Sequence, residues 1–236
     1  MTEIAPSLLA ADPLRLYDEI ARARNAGVVM LHVDVMDAHF VPNLAFPPAT
    51  CVAIHRAFPD MTLDVHLMMD HAMDYAETFI KAGAARLTVH IETVADPVTT
   101  MRRIRALGAR AGLSLKPKTP IEDLFPALHE MDQALIMTVE PGFGGQKLMP
   151  EQLDKIKTLR AMGYRGDIAV DGGVTIENMG DVRNAGATTL IMGTAFFRAA
   201  DQAAQNDLYV GDEELSPTPF ACNFVTQGHA CFLHHN

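Results

Sequence analysis

The sequence is poor in cysteine, in positive charge and in long apolar runs. Its three cysteines, Cys51, Cys222 and Cys231, are too few and too odd in number for a disulfide framework. They point to a reducing, cytoplasmic compartment. Lysine and arginine number 19 against 29 aspartates and glutamates, a formal net charge of −10. A surplus of acid argues against nucleic acid and anionic membrane as partners, because both need a basic face. No apolar run approaches the ~20 residues of a membrane helix. Met1-Thr2-Glu3 has neither a basic nor an apolar leader character, so no secretory signal is expected. No Gly-x-Gly-x-x-Gly turn follows a first strand, which weakens a doubly wound open sheet, and no organic cofactor is expected. What remains, 49% apolar and 20% charged over 236 residues, is the composition of a globular protein.

What the chain does have is a repeat. Helix ends closed by glycine read at Asn25-Ala26-Gly27, Lys81-Ala82-Gly83, Ala106-Leu107-Gly108, Ala161-Met162-Gly163 and Asn184-Ala185-Gly186. Short apolar runs follow them at Val28 to Val35, Leu87 to Val89, Leu113 to Leu115, Ile168 to Val170 and Leu190 to Met192. Such runs read as parallel strands buried on both faces. The glycines are 56, 25, 55 and 23 residues apart, and each long gap holds one more strand, at Leu63 to Leu67 and Leu135 to Val139. Units of about 26 residues are βα units. A first strand at Ile4 to Ser7 and a last unit after Gly186 bring the count to eight. The expected fold is α/β, a single (β/α)8 TIM barrel. Asp12-Pro13, Asp96-Pro97 and Thr119-Pro120 read as helix starts. The helix from Pro150 is expected to bury Leu153, Ile156, Leu159 and Met162.

In such a barrel chemistry gathers at the C-terminal strand ends. Period-two alternation puts His32, Asp34 and Met36 on one face, and His66 with Met68 on another. If those faces are the interior, His32, Asp34, His66 and Asp171 converge on the mouth. Two imidazoles and two carboxylates suit one divalent ion: Zn, Fe, Mn or Co. Two carboxylates buried together call for a cation. Glycines fill three successive late loops, at Gly142-Phe143-Gly144-Gly145, at Gly172-Gly173 and at Gly193-Thr194. Exposed backbone N–H groups there bind phosphate without cationic side chains. A metal, a phosphate site and two facing aspartates suggest inversion of a carbon next to the carbonyl of a small phosphorylated ketose. Asp34 and Asp171 serve as acid and base on opposite faces of an enediolate. Met36, Met68 and Met137 can line the planar intermediate, or simply pack the core.

Five segments carry a family resemblance. Ala5-Pro6-Ser7-Leu8-Leu9, His32-Val33-Asp34-Val35-Met36-Asp37-Ala38-His39-Phe40-Val41-Pro42-Asn43, Asp64-Val65-His66-Leu67-Met68, Val139-Glu140-Pro141-Gly142-Phe143-Gly144-Gly145-Gln146 and Val170-Asp171-Gly172-Gly173 resemble the ribulose-phosphate 3-epimerase family. The likeness runs from about Ile4 to about Ala204. It implies a barrel with a ribulose-phosphate-binding type phosphate site. It also implies interconversion of D-ribulose 5-phosphate and D-xylulose 5-phosphate in the pentose phosphate pathway, in a homo-oligomer. By motif, His32, Asp34, His66 and Asp171 hold the metal, and Asp34 and Asp171 are the acid/base pair. Ser7 and His66 contact substrate. Gly142, Phe143, Gly144, Gly145, Asp171, Gly172, Gly173, Gly193 and Thr194 hold the rest of it, chiefly the phosphate. Epimerisation of a hexulose 6-phosphate such as allulose 6-phosphate is the neighbouring alternative.

Three departures stand out. Ala38 replaces the family's usual glycine, which is tolerable unless that position needs a positive φ. Lys118 adds a lysine, expected to be a solvated loop charge. After a barrel domain over 1–206, an atypical tail covers 207–236, with prolines and a glycine that end the last helix early. A barrel inactivated by that tail is the alternative from another class. His229, Cys231, His234 and His235 match no standard ligand spacing, so a poorly ordered terminus is expected there.

Overall fold

The computed structural model describes residues 2–199 together with 202–203. Among the described residues there are nine strands: β1 (Glu3–Pro6), β2 (Met30–Asp37), β3 (Leu44–Ala45), β4 (Thr62–Met68), β5 (Ala84–His90), β6 (Arg110–Leu115), β7 (Gln133–Met137), β8 (Asp167–Asp171) and β9 (Thr189–Met192). They are ordered β1-β9-β8-β7-β6-β5-β4-β2-β3. Eight run parallel, and a bridge from Ser7 to His32 joins β1 to β2 and closes the ring. The two-residue β3 is antiparallel, folded back on β2. The helices are α1 (Leu16–Asn25), α2 (Pro48–Ala57), α3 (Ala72–Lys81), α4 (Pro97–Ala106), α5 (Leu153–Ala161), α6 (Met179–Ala185) and α7 (Thr194–Phe197). This is the (β/α)8 barrel.

The repeat holds because its glycines do one job. All five take positive φ just after α1, α3, α4, α5 and α6. At Gly186 (φ 113°) a methyl group would also sit 2.7 Å from Cγ of Arg160. Between the glycines, strand residues such as Leu31, Val33, Val65 and Val89 face outward and pack with Ile20, Ile54, Phe79 and Ile104 in one apolar layer. Each such side chain contributes about 1.5–3 kcal/mol on full burial. A second cluster, including Ala5, Met30, Leu135, Met137, Ala169 and Ile191, fills the ring itself. The bottom of the ring is polar. Arg86 is buried there and donates to Asp167 Oδ2 (2.9 Å) and to Gln133, whose amide donates to Thr88 Oγ1 (3.2 Å). These bonds offset the cost of burying a guanidinium and leave the opposite end free for chemistry.

Three local expectations fail. The fifth unit has no α-helix after β6, but a 3-10 helix over Ile121–Ala127 that contains Pro126, which lacks an N–H to donate. Thr119 is not a helix cap: its hydroxyl donates to Glu92 instead. Met162 is 48% exposed, because α5 ends at Ala161 and turns it off the buried face that Leu153, Ile156 and Leu159 share. Asp12 and Asp96 do cap, accepting from Leu14 N–H and Thr99 N–H. Lys118 is exposed. The tail over 207–236, with Cys222, Cys231, His229, His234 and His235, lies outside the described residues.

Candidate active site

Strand register decides which side chains meet at the mouth. β2 carries His32-Val33-Asp34 and β4 carries Asp64-Val65-His66 in reverse order. Their pairing sets His32 opposite Asp64 and Asp34 opposite His66, so each histidine gains an aspartate across the strand. All four are buried. His32 Nδ1 lies 2.9 Å from Asp64 Oδ2, a bond that holds a proton on Nδ1 and turns Nε2 toward the mouth. That Nε2 is 3.3 Å from Asp34 Oδ1 and 4.0 Å from Asp171 Oδ2. His66 Nδ1 is 3.5 Å and 3.8 Å from the same two oxygens. One donor atom from each of His32, Asp34, His66 and Asp171 falls within 4.8 Å of the others.

Two observations say that these residues suit a cation. His32 Nε2 and His66 Nδ1 are buried without a hydrogen-bond partner, and such atoms cost about 1–3 kcal/mol each when left unpaired. The charges make the same demand. Burial opposes a charged His32, yet Asp34 and Asp64 outweigh it and raise its pKa well above the ordinary imidazole value. Burial likewise opposes ionisation of Asp34, but His32 and His66 hold its pKa well below the carboxylate range. Asp171 goes the other way: burial and then Asp34 push it up to about 6. Two carboxylates in one site with pKa values driven apart are suited to opposite roles in proton transfer. The four residues can hold a metal ion.

Above them opens a cavity of about 710 Å³. Ser7, Asp34, Met36, Met68, Met137 and Asp171 line it, and so do Gly142, Phe143, Gly144, Gly145, Gly172, Gly173, Gly193 and Thr194 of the glycine loops. Ser7 Oγ donates to Asp34 Oδ2 at 2.6 Å. His32 and His66 do not line the cavity: both lie behind it, reaching the cluster through ring nitrogens alone. Met36 and Met68 pack together with Val41, while Met137 belongs to the apolar filling of the ring. The glycine loops are tied down from outside. Asn43 Nδ2 donates to Gly142 O (2.7 Å), Thr138 Oγ1 to Gly172 O (2.6 Å), and Asn178 Nδ2 to Gly173 O (2.8 Å). Gly173 (φ 68°) has no room for a Cβ, which would lie 2.3 Å from Leu148 N.

Sequence reasoning passed over four residues here. Asp64, His90 and Glu92 carry no role in the sequence reading. His90 Nε2 is 2.8 Å from His66 Nε2, and His90 Nδ1 is 3.1 Å from Glu92 Oε2. The alternation that places His66 inward also places Asp64 inward, a signal available in Asp64-Val65-His66. Lys147 is the fourth: it lines the cavity, so the glycine side is not purely backbone as the acidic composition suggested.

The comparisons agree with this geometry. The sequence model of the ribulose-phosphate 3 epimerase family matches residues 3–197. The chain is 45% identical over 206 residues to ribulose-phosphate 3-epimerase of Synechocystis sp., covering 85% of this chain and 89% of that protein. It is 42% identical over 203 residues to the cytoplasmic isoform of that enzyme from Oryza sativa subsp. japonica, covering 84% and 89%. Among solved structures, 3-hexulose-6-phosphate synthase from Salmonella typhimurium superposes with a TM-score of 0.67 at 19% identity, covering 87% of this chain and 95% of that one. At that identity the likeness shows the fold alone. Among the described residues no helix is long and apolar enough to cross a membrane. With the barrel, the paired carboxylates and 38–45% identity to curated relatives, the chain belongs to the ribulose-phosphate 3-epimerase family and is an isomerase.

Proposed function

We propose that the chain interconverts D-ribulose 5-phosphate and D-xylulose 5-phosphate by inverting C3, the pentose phosphate pathway reaction that its family resemblance implies. The observation that carries this reading is that Asp34 and Asp171 both line one cavity that the glycine loops also line. Asp34 and Asp171 are the acid/base pair. One takes the C3 proton from one face of the sugar and the other returns a proton to the opposite face, with roles exchanged in reverse. Ser7, donating to Asp34, holds that carboxylate in place for transfer. Met36, Met68 and Met137 present apolar, polarizable surface to the planar enediolate and keep water from it. Gly142 to Gly145, Gly172, Gly173, Gly193 and Thr194 receive the phosphate with backbone N–H groups, and Lys147 adds one positive charge at the rim. His32, Asp34, His66 and Asp171 hold one divalent ion. When bound, that ion supplies positive charge beside the substrate's oxygens.

A coupled epimerase assay on the purified protein, before and after chelation, tests the whole reading. Activity is expected to fall on metal removal and to return with a divalent ion. Absence of turnover in every metal sinks the enzyme reading. Faster turnover of allulose 6-phosphate than of ribulose 5-phosphate overturns the pentulose assignment.

A further inference from the structure

A line of hydrogen bonds leaves the site through the back of His66. His66 Nε2 meets His90 Nε2 at 2.8 Å, and His90 Nδ1 meets Glu92 Oε2 at 3.1 Å. The other Glu92 oxygen accepts from Lys116 N–H (2.8 Å) and from the Thr119 hydroxyl. His66 and His90 stack with centroids 4.9 Å apart, and the ring of Phe40 covers His90 at 4.6 Å. Burial disfavours the Glu92 carboxylate, but these donors outweigh it and hold its pKa down at about 2.

The line has a direction. An ionised carboxylate can only accept, so the proton between His90 and Glu92 sits on His90 Nδ1. A neutral imidazole with Nδ1–H has a bare Nε2. That bare nitrogen, 2.8 Å from His66 Nε2, needs a donor opposite it, so His66 carries its proton on Nε2. His66 Nδ1 is then a lone pair, and it is this atom that lies buried and unpartnered beside Asp34 and Asp171. The competing arrangement is specific. With a proton on His66 Nδ1, the ring would donate to Asp34 and offer the cation nothing.

We propose that Glu92 and His90 are positioning residues that fix His66 as its Nε2–H tautomer and keep the Nδ1 lone pair on the cation, an inference that rests on reading His32, Asp34, His66 and Asp171 as the metal site. The same task is done for His32 by Asp64 alone. On the His66 arm an extra imidazole is interposed, and the anchoring carboxylate sits beyond the end of β5, tied to the segment that holds Lys116 and Thr119.

Nitrogen-15 NMR of histidine-labelled, metal-free full-length protein reads the tautomer directly, and a purely structural Glu92 would not fix it. His66 is expected as Nε2–H. In Glu92→Ala both tautomers become populated, and Zn²⁺ affinity, measured by chelator competition, falls by about 10–100-fold. Glu92→Gln, which keeps an acceptor without the charge, falls less. A proton on His66 Nδ1 in the parent protein overturns the proposal, as does unchanged Zn²⁺ affinity in both variants. If Glu92→Ala fails to fold by circular dichroism, the parent tautomer and Glu92→Gln still decide. His66→Ala separates the two readings. Lost Zn²⁺ binding there with full binding in Glu92→Ala and Glu92→Gln refutes the relay alone, whereas full binding in His66→Ala refutes the metal site itself.

Discussion

The two halves of the barrel mouth are made of different material. Around β2, β4 and β5 the inward positions near the mouth include five buried polar side chains, His32, Asp34, Asp64, His66 and His90, beside the two methionines Met36 and Met68. Around β7, β8 and β9, above the polar bottom that Gln133 and Asp167 help to form, the inward filling is apolar, as in Leu135, Met137, Ala169 and Ile191, and the mouth is finished by glycine loops. The first half works through side-chain charge, so it needs strand register and a partner for every buried group. The second works through backbone shape, so it needs room where a methyl group would otherwise be. The two halves should therefore fail in different ways. Isosteric changes should damage the first without touching the fold, and an added methyl should damage the second without touching the metal.

Asp171 crosses that division, being a carboxylate of the metal cluster on β8. Asp171→Asn is expected to lower kcat by about 10³-fold or more, since general acid–base transfer alone is worth roughly 10²–10⁴. Its circular dichroism should match the parent's. Full activity would confine the chemistry to the first half and end the two-carboxylate mechanism. Asp64→Asn stays within the first half. It removes the charge behind His32 Nδ1 and should weaken Zn²⁺ binding by about 10–100-fold. KM measured at saturating metal should change little. A raised KM with intact metal affinity would mean that the halves are not separable.

Gly173→Ala probes the other material. The new methyl would meet Leu148 N at 2.3 Å and Gln146 O at 2.8 Å, on a backbone at φ 68°. The loop must shift, and KM for the sugar phosphate should rise by about 10-fold, the cost of one weakened hydrogen bond to a charged group. Zn²⁺ affinity should stay at the parent value. Loss of metal binding in this variant would show that the glycine loops support the cluster as well as the phosphate.

The same contrast governs what could be seen in the sequence. The repeat of helix-closing glycines was legible because a positive φ is a local demand, met by one residue type. His32, Asp34, His66 and Asp171 were legible because period-two alternation is local too. Asp64 and Glu92 were not assigned roles, because their roles follow from register between strands and from a loop folding back. Even that register is irregular, slipping between Leu63 and Asp64 where β4 meets β5. Thr119 looked like a cap because Thr-Pro is a local motif. The tertiary bond to Glu92 claimed its hydroxyl. Met162 failed as a core residue for a smaller reason, the end of α5 one residue before it.

Ala38 gives the smallest effect and the sharpest control. It sits in the side-chain half, just past β2, yet it occupies a glycine-type position with φ 61°. Its N–H donates to Asn43 O at 2.9 Å, which closes the loop that lets Asn43 reach Gly142. The conformation is thus required, and an alanine there costs about 1–2 kcal/mol relative to the right-handed region. Its methyl is exposed and contributes little packing in return. Glycine would remove the strain but lose about 0.4–1 kcal/mol to the greater freedom of the unfolded chain. Ala38→Gly should therefore stabilise by about 0.5 kcal/mol, raising Tm by about 1–2 °C for a domain of this size. Metal affinity should not move, because no ligand changes. A lowered Tm would mean that the methyl carries weight in the loop, and that even in this half backbone shape does not act alone.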